Sequence, residues 1–123
     1  MHYHLQQADV WVPIDGEATA ALVDLRDGSP AFGVATTFDA VPGSATYIPP
    51  GVAHGFYARS DFTMLYFVDR HYDGGADEHG FSPLDPAVAI AWPGSEPLLS
   101  DRDRTAPSLR DALARTPVGP SVA

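Results

Sequence analysis

The stretch that decides the fold spans residues 43–54 and reads GSATYIPPGVAH. Segments 45–48 and 55–58 have the apolar and aromatic composition of short strands, and Pro49, Pro50 and Gly51 between them are typical of a tight corner. That corner would direct His54 into the mouth of a barrel. The stretch therefore predicts a β structure that carries a histidine at one end.

Other segments extend this prediction along the chain. Residues 9–14, 18–25, 32–38 and 63–68 alternate apolar and polar positions or are rich in β-branched and aromatic residues, as strands are. Residues 107–115 predict a helix, because Leu109 and Leu113 lie four residues apart and share one helix face. We expect residues 1–115 to form one all-β domain, an antiparallel barrel with a short C-terminal helix, and residues 116–123 to form a flexible tail.

Composition excludes several classes of function. The 123 residues suffice for one domain, and 16 acidic residues against 7 arginines give a formal net charge of −9. The sequence has no lysine and no cysteine, which excludes a Schiff-base lysine, thiol catalysis and disulfides. The acidic balance argues against nucleic-acid binding. No apolar run approaches the roughly 20 residues of a membrane helix, and no signal peptide is visible, so a cytoplasmic protein is expected.

Two motifs resemble those of the cupin superfamily. Residues 43–54 match its second motif: a Gly, five residues, Pro-x-Gly, two residues and a His. The N-terminus resembles its first motif, with His2-x-His4 followed by Asp9 where a Glu is usual. The resemblance implies a jelly-roll barrel in which His2, His4, Asp9 and His54 converge on a divalent metal such as Fe, Mn, Ni or Zn. In the alternative interpretation the chain-end histidines fray and His54 caps a turn.

From Leu22 onward the sequence resembles the dTDP-4-dehydrorhamnose 3,5-epimerase family, with an N-terminal part of the family's pattern missing. The matching runs are residues 23–26, 28–33, 47–56, 65–66, 71–72, 85–86, 89–93, 99–103 and 106–109. The resemblance implies epimerisation beside a ketone, with neither a metal nor an organic cofactor.

The resemblance also implies roles for individual residues. His2 corresponds to the base that removes the proton, Asp103 to the carboxylate behind it, Tyr66 to the acid on the other face, and His54 to a further site histidine. A carboxylate behind an imidazole fixes its tautomer and stabilises the imidazolium. The family's lysine position falls on Asp9. Composition alone would make Tyr66 a core tyrosine and Asp103 part of a solvated charge run.

Three aromatic residues are candidates for the substrate pocket: Phe56 and Trp92 as walls, and Tyr72 at the rim. With few arginines and a net charge of −9, a diphosphate has no obvious binding site. We therefore expect a small epimerase-like cupin enzyme that isomerises, cyclises or rearranges a carbonyl-bearing intermediate of secondary metabolism instead of a dTDP-sugar. The alternatives are a metal-dependent dioxygenase or isomerase, and a dTDP-sugar epimerase relative or non-catalytic metabolite-binding cupin.

Expected partners are a small-molecule substrate and a second copy of the chain. In the resembled family the N-terminal strands help to close the sheet. A shorter chain leaves an exposed sheet edge, and pairing with another copy would cover it. Neither a nucleic acid nor a membrane is expected as a partner.

Overall fold

The structure is a computed structural model, and it describes residues 1–120, which form eight strands and two short helices. The strands are β1 (His2–Tyr3), β2 (Asp9–Asp15), β3 (Ala18–Asp24), β4 (Ala35–Ala40), β5 (Thr46–Ile48), β6 (Val52–Ala58), β7 (Thr63–Val68) and β8 (His79–Gly80). The helices are α1 (Asp101–Arg104) and α2 (Leu109–Arg115).

The strands form two antiparallel sheets, one ordered β4-β3-β6-β1-β8 and the other β5-β2-β7. In the first sheet His2 pairs directly with His54, and in the second Trp11 pairs directly with Tyr66. Directly paired residues of neighbouring strands present their side chains on the same face of the sheet. The register thus places two histidines together on one sheet, and a tryptophan and a tyrosine together on the other.

Two apolar clusters hold the sheets and helices together. One contains Tyr3 and Phe81, both fully buried, and includes Ala112 of α2. The other packs Trp11 and Ile48 beneath the second sheet. The first cluster packs β1 and α2 against the same core, so the buried Tyr3 side chain holds the histidines on either side of it in place.

The antiparallel β fold with a C-terminal helix is confirmed, and β7 begins and ends where the sequence predicts. Strand β4 begins at Ala35 instead of residue 32, because a tight turn, with hydrogen bonds such as Gly33 N–H to the Asp24 carbonyl, occupies residues 24–34. The sequence missed β1, β8 and α1, which are too short for hydrophobic periodicity to reveal. No helix within residues 1–120 is long and apolar enough to cross a membrane.

The predicted flexible tail begins at residue 116, yet residues 116–120 contact the sheet. The Tyr3 hydroxyl donates to the Thr116 carbonyl at 3.2 Å, the Asp27 N–H donates to the Gly119 carbonyl at 3.2 Å, and Val118 packs against the core. These contacts, which nothing in the sequence indicated, attach the segment to the domain. The rest of the predicted tail, residues 121–123, lies outside the described part of the chain.

Candidate active site

A cavity of about 750 Å³ opens between the two sheets and the C-terminal segment. Each wall comes from a different part of the chain, which the sheet register and α1 bring together. Its lining includes four side chains that can exchange or bind protons and two tryptophans that form apolar walls: His2, His54, Tyr66 and Asp103, with Trp11 and Trp92. The four predicted catalytic residues, His2, His54, Tyr66 and Asp103, therefore line one cavity.

His2 and Asp103 form the first pair in this cavity. The His2 Nε2 atom lies 3.6 Å from an Asp103 carboxylate oxygen. Asp103 belongs to α1, whose N-cap Ser100 accepts a hydrogen bond from the Asp103 N–H and donates one at 2.8 Å to its carboxylate. The cap thus orients this carboxylate toward β1.

The surroundings set the charge of both groups. Burial, assisted by the nearby Arg102 guanidinium, lowers the pKa of His2 to about 4, so the imidazole is neutral at pH 7. Burial opposes ionisation of Asp103, but the Ser100 hydrogen bond and the Met1 ammonium, 3.5 Å away, lower the pKa of Asp103 overall. The pair is therefore a neutral imidazole beside a carboxylate.

A second group of polar residues surrounds Asp9, which is only 1% exposed. One Asp9 oxygen lies 3.1 Å from His54 Nε2 and 3.7 Å from His4 Nε2, and it accepts a hydrogen bond from the Tyr66 hydroxyl at 3.3 Å. The Gln7 amide donates to the other oxygen at 2.8 Å. The carboxylate of β2 thus connects the second sheet to His54 of the first.

The carboxylate controls the state of the tyrosine. Burial, followed by the charge of Asp9 and the hydrogen bond to it, raises the pKa of Tyr66 to about 12. Tyr66 therefore carries its proton at neutral pH. A protonated hydroxyl at the cavity wall is a proton donor.

The predicted four-ligand metal set needs a correction. Ligand atoms of His4, Asp9 and His54 lie within 4.8 Å of one another, but His2 is not in this group. Strand β1 ends at Tyr3, so His4 already lies in the following turn and the alternation of a strand does not apply to it. His2 instead points to Asp103 and to Glu78, whose carboxylate is 3.8 Å from its Nδ1.

Two of the three predicted pocket residues line the main cavity, and the third does not. Phe56 and Trp92 line the main cavity, whereas Tyr72 is 82% exposed and borders a separate cavity of about 320 Å³. Tyr72 follows the end of β7 by four residues and, unlike Tyr66, does not line the main cavity. Sequence reasoning missed Trp11 as a site residue, although it follows Asp9 by two positions in a strand and so shares its face. Its ring stands edge-on to His54 with centroids 5.2 Å apart.

Comparisons with known proteins agree on the family. The family model for dTDP-4-dehydrorhamnose 3,5-epimerase matches residues 1–111. A dTDP-4-dehydrorhamnose 3-epimerase of Streptomyces niveus is 44% identical over 86% of this chain and 52% of its own length. A dTDP-4-dehydro-6-deoxyglucose 3-epimerase of Streptomyces bikiniensis is 41% identical over 86% of this chain and 56% of its own. The chain thus spans about half the length of these relatives.

Solved structures show the same similarity. NovW, a 4-keto-6-deoxy sugar epimerase from the novobiocin biosynthetic gene cluster of Streptomyces spheroides, has a TM-score of 0.88 and 38% identity, covering 97% of this chain and 62% of its own. ChmJ, a 3'-monoepimerase of Streptomyces bikiniensis in complex with dTDP-quinovose, has a TM-score of 0.86 and 36% identity, covering 97% of this chain and 63% of its own. The fold is therefore the cupin-like jelly-roll of these epimerases.

These relatives overturn the expected function. The prediction of an enzyme repurposed away from dTDP-sugars is wrong, because the matched proteins are named as dTDP-sugar epimerases and one structure holds a dTDP-sugar. That prediction rests on the small number of arginines and the net charge of −9, and neither decides the substrate class of the family. Epimerases of this type act without a metal cofactor. By its sequence and its fold, the chain belongs to the dTDP-4-dehydrorhamnose 3,5-epimerase family.

Proposed function

We propose that this chain epimerises a dTDP-4-keto-6-deoxy sugar at a carbon next to the ketone. The relatives named above support the substrate class. The observation that carries the proposal is that the His2–Asp103 pair and the Tyr66 hydroxyl line one cavity. Epimerisation beside a ketone needs a base that removes a proton and an acid that returns it, and these residues supply both.

In this proposal His2 is the base. Its neutral imidazole accepts the proton, and the imidazolium that forms lies 3.6 Å from the Asp103 carboxylate. An opposite charge at that distance stabilises the protonated product of the step. Asp103 therefore acts on the reaction through His2.

Tyr66 is the acid in this proposal. Its hydroxyl keeps its proton until the substrate carbanion or enolate accepts it, because the pKa of Tyr66 is raised to about 12. Asp9 orients that hydroxyl by accepting its hydrogen bond, and His54 holds Asp9 from the opposite sheet. His54 thus acts as a positioning residue at the cavity wall.

The apolar part of the cavity protects the intermediate from water. Phe56, Met64, Trp92 and Leu98 line the same space as the polar groups. Such a wall matches the methyl group of a 6-deoxy sugar and lowers the local dielectric around the reacting carbon.

The test is a reaction of the full chain with dTDP-4-dehydro-6-deoxyglucose, followed by ¹H NMR. We expect a new epimer at C3, at C5 or at both, and loss of turnover by at least 100-fold in His2→Asn. His71→Asn is the matched control, because His71 is exposed and lies outside the main cavity. Absence of any epimer with correctly folded protein would contradict the proposal.

We also propose that two copies pair through β7. This strand is at the edge of its sheet and exposes Leu65, Phe67 and Val68, an apolar surface beside unpaired backbone groups. A second copy that pairs with β7 would bury this apolar surface and supply partners for the unpaired backbone groups. Light scattering should give twice the 13.1 kDa chain mass, and Phe67→Glu should return a monomer. A monomeric wild type would contradict the pairing.

A further inference from the structure

Trp11 carries a polar group for which the fold supplies no partner. Within residues 1–120, its indole Nε1 is the one buried side-chain nitrogen or oxygen without a hydrogen-bond partner. The residue is only 5% exposed, so bulk water does not reach this group. Buried donors are almost always paired, because an unpaired one costs free energy that a hydrogen bond would recover. The packing of the core therefore does not explain this donor.

The Trp11 side chain stands at the wall of the main cavity, beside the proposed acid. It lines the cavity of about 750 Å³ together with Tyr66 and His54. Trp11 of β2 pairs directly with Tyr66 of β7, so the two side chains lie on the same face of the sheet. The register thus places an indole with an unpaired N–H next to the hydroxyl to which the return of the proton is assigned.

Two comparable donors in the same cavity already have acceptors. The indole N–H of Trp92, the other tryptophan of the cavity, donates to the Pro83 carbonyl at 2.8 Å. The Tyr66 hydroxyl donates to the Asp9 carboxylate at 3.3 Å. Trp11 therefore differs from both in having a donor that the protein leaves available for a ligand.

The proposed reaction, on which this inference rests, creates a negative charge in this cavity. When His2 removes a proton beside the ketone, the electron pair of the C–H bond moves onto the ketone oxygen and forms an enolate. None of the described residues that line the cavity is a lysine or an arginine, and the Met1 ammonium already donates to the Phe81 carbonyl at 3.1 Å. A buried N–H donor stabilises such a developing charge strongly, because water is excluded around it.

We propose that the Trp11 indole N–H donates a hydrogen bond to the ketone oxygen of the bound sugar and stabilises the enolate formed from it. His2 removes the proton, Trp11 holds the oxygen, and Tyr66 returns a proton to the carbon while the electron pair moves back from the oxygen. Trp11 is then a catalytic residue of this chain.

A small movement of one neighbouring ring gives the sugar access to the indole. Two aromatic rings stand edge-on to Trp11, those of His54 and Phe56, with centroids 5.2 and 5.8 Å from it. His54 is buried and lies 3.1 Å from Asp9, whereas Phe56 is 46% exposed and lines the cavity. Phe56 is therefore the ring that turns aside when the sugar approaches the N–H.

The first test observes the indole N–H directly. The chain has two tryptophans, so ¹H–¹⁵N NMR of the labelled His2→Asn variant should show two indole signals, which Trp92→Phe assigns. This variant should bind dTDP-4-dehydro-6-deoxyglucose and scarcely turn it over. On binding, the Trp11 proton should shift downfield by more than the Trp92 proton, whose N–H already has an acceptor. A bound sugar that moves other signals and leaves the Trp11 proton unchanged would overturn the proposal.

The second test removes the N–H alone from the full chain. The amino acid β-(3-benzothienyl)alanine has the shape of tryptophan, with sulfur in place of the N–H. In place of Trp11 it should lower kcat for epimer formation by about 100-fold, with a small change in KM and an unchanged Tm. In place of Trp92 it is the matched control for stability, and it should lower Tm because the hydrogen bond to the Pro83 carbonyl is lost.

Failure of this inference differs from failure of the proposed function. If the wild type epimerises the sugar and the Trp11 replacement keeps kcat within about twofold, the inference is wrong and the proposed function stands. A Trp11 replacement that lowers Tm as much as the Trp92 replacement would also overturn the inference, since the N–H would then have a partner within the fold. If the folded wild type forms no epimer, both are wrong.

Discussion

Replacing Asp103 with Asn tests the proposed base pair. The change keeps the size of the side chain but removes the charge 3.6 Å from His2 Nε2. Two unit charges at this distance attract by about 1 kcal/mol at the dielectric constant of water and by about 5 kcal/mol at an effective value of 20. His2 and Asp103 are each about one-third exposed, so the effect should fall between these limits.

We therefore expect Asp103→Asn to lower kcat between roughly tenfold and a thousandfold, with a small change in KM. The loss belongs to kcat because the imidazolium that Asp103 stabilises forms only during the reaction. Initial rates of epimer formation, measured by ¹H NMR over a range of substrate concentrations, give both constants.

Asp101→Asn is the matched control for this prediction. Asp101 lies on the same short helix, but its carboxylate pairs with the exposed Arg104 and does not line the cavity. Its kcat should stay within twofold of the wild type. The reasoning is refuted if Asp103→Asn also stays within twofold, or if both variants lose activity equally.

Three other changes have defined outcomes. Gly16→Ala should destabilise the fold by about 2–4 kcal/mol in urea unfolding, because the φ of Gly16 is +75° and a Cβ there would lie 1.8 Å from the Asp61 backbone oxygen. The Arg26 hydrogen bond lowers the pKa of Asp24. The ionised carboxylate therefore stabilises the fold fully above the unfolded pKa of about 3.9, and this stabilisation is lost as the pH falls below that value. Asp24→Asn should therefore flatten the fall in Tm between about pH 5 and 3. Tyr66→Phe should lower epimer formation by about 10²–10⁴-fold while leaving Tm nearly unchanged, since half of this side chain is exposed.

The parts of the fold that the sequence predicts are those with a long local pattern. The apolar and aromatic composition of β7 and the Pro-Pro-Gly corner before His54 are local signals, and the structure has a strand over residues 63–68 and a connection between β5 and β6 at residues 49–51. Strand β1 is two residues long and is held by the buried Tyr3 and by its pairing with His54. Tertiary packing of this kind has no local signature.

The candidate site shows the same limit. The resemblance indicated His2 and Asp103, but only the folded chain shows that the Ser100 cap of α1 turns the carboxylate toward β1. The predicted set of four metal ligands is wrong at His2. It assumes that His2 and His4 alternate along one strand, but β1 ends at Tyr3, before His4. Glu78, which reaches His2 from a loop, had no signal in the sequence at all.

The most direct test of the account is proton exchange in D₂O. Wild-type protein, mixed with dTDP-4-dehydro-6-deoxyglucose, should incorporate deuterium at a carbon next to the ketone, and His2→Asn should slow this by at least 100-fold while His71→Asn does not. Exchange that proceeds at the wild-type rate without His2, or no exchange by the folded wild-type chain, would contradict proton transfer at this site.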